Sequence, residues 1–266
     1  MKKIFITNDD GIDSPGLHAA VEAALPLGEL YVVAPKNQGT GMGRSLQGNW
    51  GDQLHEISLP VDSRKIKAYY CDCSPALAVM HGLNVLFPDS LPDLLISGIN
   101  YGENLGTTVT QSGTLGAAFQ GASSGIPSLA VSMQTELNHY YEYESLDWDG
   151  ACYFLQFFSK KMLNHTLPED VDLLKLDVPL GADRKTPWQV TRLSRQMYYN
   201  ASIKNPTLKS SIKDAELIIK VDENLLEKDS DIHALHVGRT VSITPLSLDF
   251  TSRISLDSFD RELRKS

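Results

Sequence analysis

Apolar residues recur along the chain in short blocks separated by polar and glycine-rich turns, and the blocks alternate between two kinds. Ile4-Phe5-Ile6, Leu30 to Pro35, Lys65 to Cys71, Asp93 to Asn100, Ile126 to Ser132 and Leu173 to Val178 are of strand length and rich in branched or aromatic residues. Between them lie stretches of helical character. One runs from Leu17 to Leu25, one opens at Ser74-Pro75 and ends near Leu86, one runs from Ser112-Gly113-Thr114 through Ala122, and one from about Gly150 to Leu163. Ser74-Pro75 has the form of an N-cap followed by proline at the first helical position. The alternation predicts β-α-β units, and hence an α/β fold with a mostly parallel sheet flanked by helices. Gln47 to Leu59 reads as irregular or edge structure, and Glu136 to Asp149 as a loop.

Beyond Gly181 the texture changes. Gln189 to Leu193, Glu216 to Val221 and Thr240 to Thr244 are strand-like, joined by polar stretches with no evident helix. They predict hairpins, in the manner of an arm that packs on another subunit. Leu256 to Arg264 reads as a short terminal helix. With no internal repeat, the expectation is one α/β domain over 1–266: a Rossmann-like core at 1–180, then the arm region and terminal helix at 181–266.

Composition narrows the function. The formal net charge of −9 argues against a nucleic-acid polymer as main ligand, because backbone binding needs a basic field. A mononucleotide remains compatible, its phosphate being met locally. No run approaches the roughly 18 apolar residues of a membrane span, and the block at Ile4-Phe5-Ile6 is too short for a signal peptide. The three cysteines suit a reducing compartment better than a disulfide framework, so a cytoplasmic protein is expected. Cys71-Asp72-Cys73 has no further Cys or His at a ligand spacing nearby and reads as strand-end packing.

Four polar clusters fall at the ends of predicted strands: Asn8-Asp9-Asp10, Gly39-Thr40-Gly41, Asn100 and Ser112-Gly113-Thr114. Taken alone, the first satisfies the chemistry of a turn, the second that of a flexible connection, and the last that of an ordinary capped helix. Converging on the carboxyl edge of a parallel sheet, they supply two carboxylates, a hydroxyl, an amide oxygen and a helix N-terminus. That set suits a hard divalent cation holding a phosphate ester. No dinucleotide-type G-x-G-x-x-G or Walker-type pattern competes with it, and the pair His233 and His236 lacks a third ligand.

The motifs resemble the SurE (survival protein E) family of metal-dependent nucleoside monophosphate phosphatases. Asn8 to Leu17, Val33-Ala34-Pro35 with the glycine loop, Ser97 to Gly106, Ser112 to Ala118 and Gly125 to Ser132 carry the resemblance in order along the chain. Val190 to Leu193 and Val241 to Leu246 are weaker echoes. The resemblance implies a Rossmann-like fold with a C-terminal hairpin arm exchanged between subunits in a homodimer or homotetramer. It implies a 5′-nucleotidase acting on nucleoside 5′- and 3′-monophosphates, with one Mg²⁺ or Mn²⁺ per subunit held by Asp9, Asp10, Thr40 and Asn100. Asp9 and Asp10 are then the catalytic carboxylates, and Asn8, Asn104, Ser112, Gly113 and Thr114 the phosphate contacts. A nucleotide-binding protein with weak catalysis and a short-chain exopolyphosphatase are the alternatives.

Several positions depart from the family pattern. Thr40 stands for the usual Ser, Lys36-Asn37 for Asp-Arg, and Cys73-Ser74-Pro75-Ala76 for Gly-Thr-Pro-Ala. Gln111 stands where Tyr is frequent, and Ser247 where some members carry a His near the site.

Overall fold

Nine strands form one sheet in a computed structural model, which describes residues 1–61, 64–136 and 146–265. Six of them are mutually parallel: β1 (Lys3–Thr7), β2 (Glu29–Pro35), β4 (Arg64–Cys71), β5 (Leu94–Tyr101), β6 (Ser128–Met133) and β7 (Leu173–Val178). Their spatial order is β4-β2-β1-β5-β6-β7, the doubly wound order that reverses direction between β1 and β5. β3 (His55–Val61) pairs antiparallel with β4 at one edge, which agrees with the edge character expected of that stretch.

Side chains along β1 alternate between two helical layers. Ile4 and Ile6 enter the core beneath α1 (Pro15–Ala24) and α4 (Asp149–Asn164), while Phe5 enters the opposite core beneath α2 (Pro75–Leu86). Coverage on both faces explains why these strands read as near-continuous apolar runs. In α1, Leu17, Ala20, Val21 and Ala24 are buried, one stripe at i, i+3, i+4 and i+7. α3 (Gly113–Ser123) lies beside α2, and Ser112 caps it by accepting from the Leu115 N–H at 3.2 Å.

Ser74 departs from expectation. It occupies the N-cap position of α2 but makes no side-chain cap; its hydroxyl donates instead to the Ser45 carbonyl at 2.6 Å. The stretch expected as a loop before α4 falls largely at 137–145, outside the described residues.

The C-terminal part is divided. β11 (Val241–Leu246) pairs antiparallel with β7, and β8 (Trp188–Val190) pairs parallel with β11, so both extend the central sheet instead of forming hairpins. Only β9 (Tyr199–Ser202) and β10 (Glu216–Ile219) make a separate antiparallel pair among the described residues. A π-helical turn at His233–Val237 occupies a stretch read as free of helix. α5 (Leu256–Leu263) ends the chain as expected, with no buried residue.

Candidate active site

The point where the strand order reverses is the crevice that open α/β sheets use for ligands. Here β1 runs into Asn8-Asp9-Asp10 and β5 ends at Asn100-Tyr101. A register shift between Ser97 and Asn100 interrupts the β5–β6 ladder just before the asparagine, the kind of irregularity that re-aims a side chain. The glycine loop after β2 and the N-terminus of α3 complete the crevice. A Cβ at Gly116 would lie 2.0 Å from the Gly43 carbonyl oxygen, so the small residue lets α3 close on the glycine loop, not only on the sheet.

Asp9, Thr40, Asn100, Asn104 and Ser112 line one cavity of about 160 Å³, room for a phosphate group and several waters. Asp9 is 3 % exposed and Asp10 5 % exposed. Asp9 faces the cavity; Asp10 is not among its lining residues. The Thr114 hydroxyl donates to Asp9 Oδ1 at 2.6 Å, and a Cβ at Gly113 would lie 2.7 Å from Asp9 Oδ2. The first turn of α3 thus grips the carboxylate itself. Asp10 Oδ2 accepts from the Tyr101 N–H at 3.0 Å, and the Gln38 amide donates to its Oδ1 at 3.4 Å.

Burial pushes the Asp9 carboxyl up to about 6 against the pull of the Thr114 hydroxyl. Burial, and then the charge of Asp9, push Asp10 up to about 8. Two adjacent carboxylates out of water hold both charges only when a cation balances them; otherwise they take up protons. Asn8 adds a further oxygen: its Nδ2 donates to the Gly11 carbonyl at 2.9 Å, while Oδ1 is buried with no partner among the described residues. Among those residues no group of three His, Cys, Asp or Glu is placed to hold a metal ion. The remaining donors for a cation are therefore hydroxyl and amide oxygens, and the all-oxygen set of Asp9, Asp10, Thr40 and Asn100 fits a hard divalent ion.

The expected phosphate contacts separate into two groups. Asn104 and Ser112 line the cavity; Asn8, Gly113 and Thr114 lie behind it, against the acidic pair or its turn. Asn104 is held firmly. Its N–H donates to Asp177 Oδ1 and its Nδ2 to the Ser132 hydroxyl, both at 2.8 Å. Asp177 pairs with the buried Lys175, whose ammonium also lies 3.1 Å from Asp231; Asp231 in turn accepts from the Gly106 N–H at 2.9 Å. This buried triad ties the loop carrying Asn104 to β7 and to the chain beyond Gly181.

Tyr199 and Leu217, from the β9–β10 pair, also line the cavity, and no sequence motif marks either. Nothing local distinguishes them from other hairpin residues; only the path of the chain brings them here. Gln111 lines it too, so that departure from the family pattern falls at the site. Ser247 does not: its hydroxyl donates to Asp170 at 2.9 Å at the end of β11, beside a different cleft.

The family described as survival protein SurE matches residues 4–200. A protein named 5′-nucleotidase SurE from Methanocella arvoryzae is 37% identical, over 98% of this chain and 98% of its own. Another of that name from Thermococcus kodakarensis is 36% identical, over 99% of this chain and 97% of its own. The crystal structure of Sure protein from Aquifex aeolicus superposes with a TM-score of 0.76 at 29% identity, covering 98% of this chain and 99% of that one. Motif order, sheet order and full-length similarity agree: the chain belongs to the survival protein SurE family.

Proposed function

We propose that this chain is a divalent-metal-dependent phosphomonoesterase that releases phosphate from nucleoside 5′- and 3′-monophosphates, in line with relatives named 5′-nucleotidase SurE. The observation that carries the reading is the buried Asp9–Asp10 pair at the switch point, opening through Asp9 onto a cavity that Thr40, Asn100 and Ser112 share. Asp9, Asp10, Thr40 and Asn100 would hold one Mg²⁺ or Mn²⁺ per subunit, which when bound would supply Lewis-acid polarisation of the phosphoryl group and acidify a nearby water. Asp9, the member of the pair that lines the cavity, takes the proton of the attacking water. Thr114 fixes which oxygen of Asp9 faces the substrate. Ser112 and Asn104 receive the phosphate, assisted by the first amides of α3. Asn8 steadies the turn beneath the pair.

Two further parts of the reading concern the chain's surroundings. Every residue of β10 is exposed, and α5 presents Leu256, Phe259 and Leu263 to solvent. A second copy of this chain covering these elements, as a homodimer or homotetramer, accounts for so much exposed apolar surface. Light scattering on the purified protein tests this. The three free thiols support a reducing, cytoplasmic setting, and no helix among the described residues is long and apolar enough to cross a membrane.

The deciding experiment is phosphate release from a panel of nucleoside monophosphates and short polyphosphates, with Mg²⁺, with Mn²⁺ and with a chelator. Cation-dependent release from nucleotides is expected. A protein that binds nucleotides yet releases no phosphate with either cation is a binding protein instead.

A further inference from the structure

Cys71 ends β4 and Asp72 and Cys73 follow it, and none of the three lines the site described above. The Cys73 N–H donates to the Cys71 carbonyl at 3.0 Å, closing a three-residue γ-turn. A fully extended segment would hold these two Cα atoms roughly 6.6 Å apart, at the outer limit of about 6.8 Å for a disulfide. The turn draws them inward, and the two thiols, both free, meet in a hydrogen bond with Sγ atoms 2.8 Å apart. Both line a cleft with Trp50, Leu77, Met80 and His81. Among the described residues they belong to no group placed to hold a metal ion. The Cys73 S–H beside it holds the Cys71 thiol below the usual cysteine range in spite of burial.

The same turn suspends the glycine loop. The Lys36 N–H donates to the Cys71 carbonyl at 2.8 Å, where the loop begins. Where it ends, the Ser74 N–H donates to the Gln47 carbonyl at 2.7 Å, the Ser74 hydroxyl donates to the Ser45 carbonyl, and Gly48 bridges to Cys73. Thr40 hangs between these two attachments. Closing an S–S bond at about 2.05 Å pulls on both.

We propose that Cys71 and Cys73 form a reversible intrachain disulfide that shifts the loop carrying Thr40. With a low-molecular-weight disulfide such as oxidised glutathione as oxidant, the Cys71 thiolate attacks one sulfur and releases one glutathione thiolate. Cys73 loses its proton and attacks the Cys71 sulfur, breaking the mixed disulfide and releasing the second thiolate. One disulfide is consumed and one formed; the two protons end on two glutathione thiols.

The effect on hydrolysis rests on the function proposed above; the disulfide does not. Native protein treated with oxidised glutathione should lose two thiols and the mass of two hydrogens, with alkylation mapping the bond to Cys71 and Cys73 and sparing Cys152. Cys73→Ser should stop at a glutathione adduct on Cys71. Metal-dependent phosphate release should fall at least about twofold on oxidation and return with dithiothreitol, while the double variant Cys71→Ser/Cys73→Ser keeps basal activity and gains no reversible response. Hydrogen exchange across 36–48 should change on oxidation whether or not the protein hydrolyses nucleotides. Two thiols that stay free, or glutathione that accumulates on wild-type Cys71 unresolved, would overturn the disulfide. A disulfide that forms with exchange across 36–48 unaltered would overturn the coupling to Thr40.

Discussion

β1 and β10 are built from the same kind of sequence and meet opposite fates. Lys3-Ile4-Phe5-Ile6-Thr7 is buried from Ile4 onward, whereas Glu216-Leu217-Ile218-Ile219 is exposed throughout. β1 lies between two parallel neighbours with helices on both faces; β10 has β9 alone. Branched apolar residues specify extended backbone in both cases, but what covers the strand comes from chain connectivity. The same contrast separates the two walls of the cavity. Asp9 is placed by the central sheet, and Tyr199 and Leu217 by a marginal two-stranded ribbon, a structure of little stability by itself.

The largest test of this contrast is at the rigid wall. Asp9→Asn should leave the chain folded and reduce phosphate release about 10³-fold, since it removes charge at the reacting centre; circular dichroism with a phosphate assay reads both. Next, Ile6→Ala should destabilise by about 2–5 kcal/mol through a cavity in the core. Ile218→Ala should cost less than about 0.5 kcal/mol in an isolated chain. Urea unfolding at two protein concentrations sharpens the comparison: if a second copy covers β10, the cost of Ile218→Ala grows with concentration, and a large cost independent of concentration would break the contrast.

The acidic pair adds a dependence on pH. Both carboxyls sit above their ordinary 3.8 in the folded chain, Asp9 near 6 and Asp10 near 8. Between those values the folded chain holds more protons than the unfolded one, so stability falls as pH rises and the loss is complete above about pH 8. Metal-free protein should melt about 5 °C or more lower at about pH 9 than at about pH 5. Asp10→Asn should flatten the slope, and Mg²⁺ or Mn²⁺ should restore the melting temperature at high pH. Differential scanning calorimetry measures all three.

Smaller effects follow at the supports. Thr114→Val removes one hydrogen bond to a carboxylate, a loss of about 1.5 kcal/mol, and should slow phosphate release about tenfold with little change in melting. Ser247→Ala, away from the cavity, should change the rate less than about twofold; a larger drop would place the end of β11 in the chemistry.

Much of this molecule is legible in its sequence. The six parallel strands and α1 to α4 follow from apolar blocks alternating with helical spacing, because a sheet covered on both faces leaves a strong signal. The acidic pair, Thr40, Asn100 and Ser112 were recognisable because strand ends in parallel sheets collect at one edge. Less legible was the chain beyond Gly181, where β8 and β11 join the central sheet and only β9 and β10 stand apart. Short strands with polar connections carry no record of their partners, and partner choice is a long-range matter.

The sequence by itself determined the alternation of strands and helices, the polar residues at the strand ends and the order of the family motifs, since each is local or one-dimensional. Tertiary structure decided how those residues divide their labour. Thr114 turned out to hold Asp9, Ser74 to tie down the glycine loop, and Tyr199 and Leu217 to wall the cavity. Those outcomes depend on distances between residues far apart in the chain, and burial, which raises the acidic pair, exists only once the layers have closed over it.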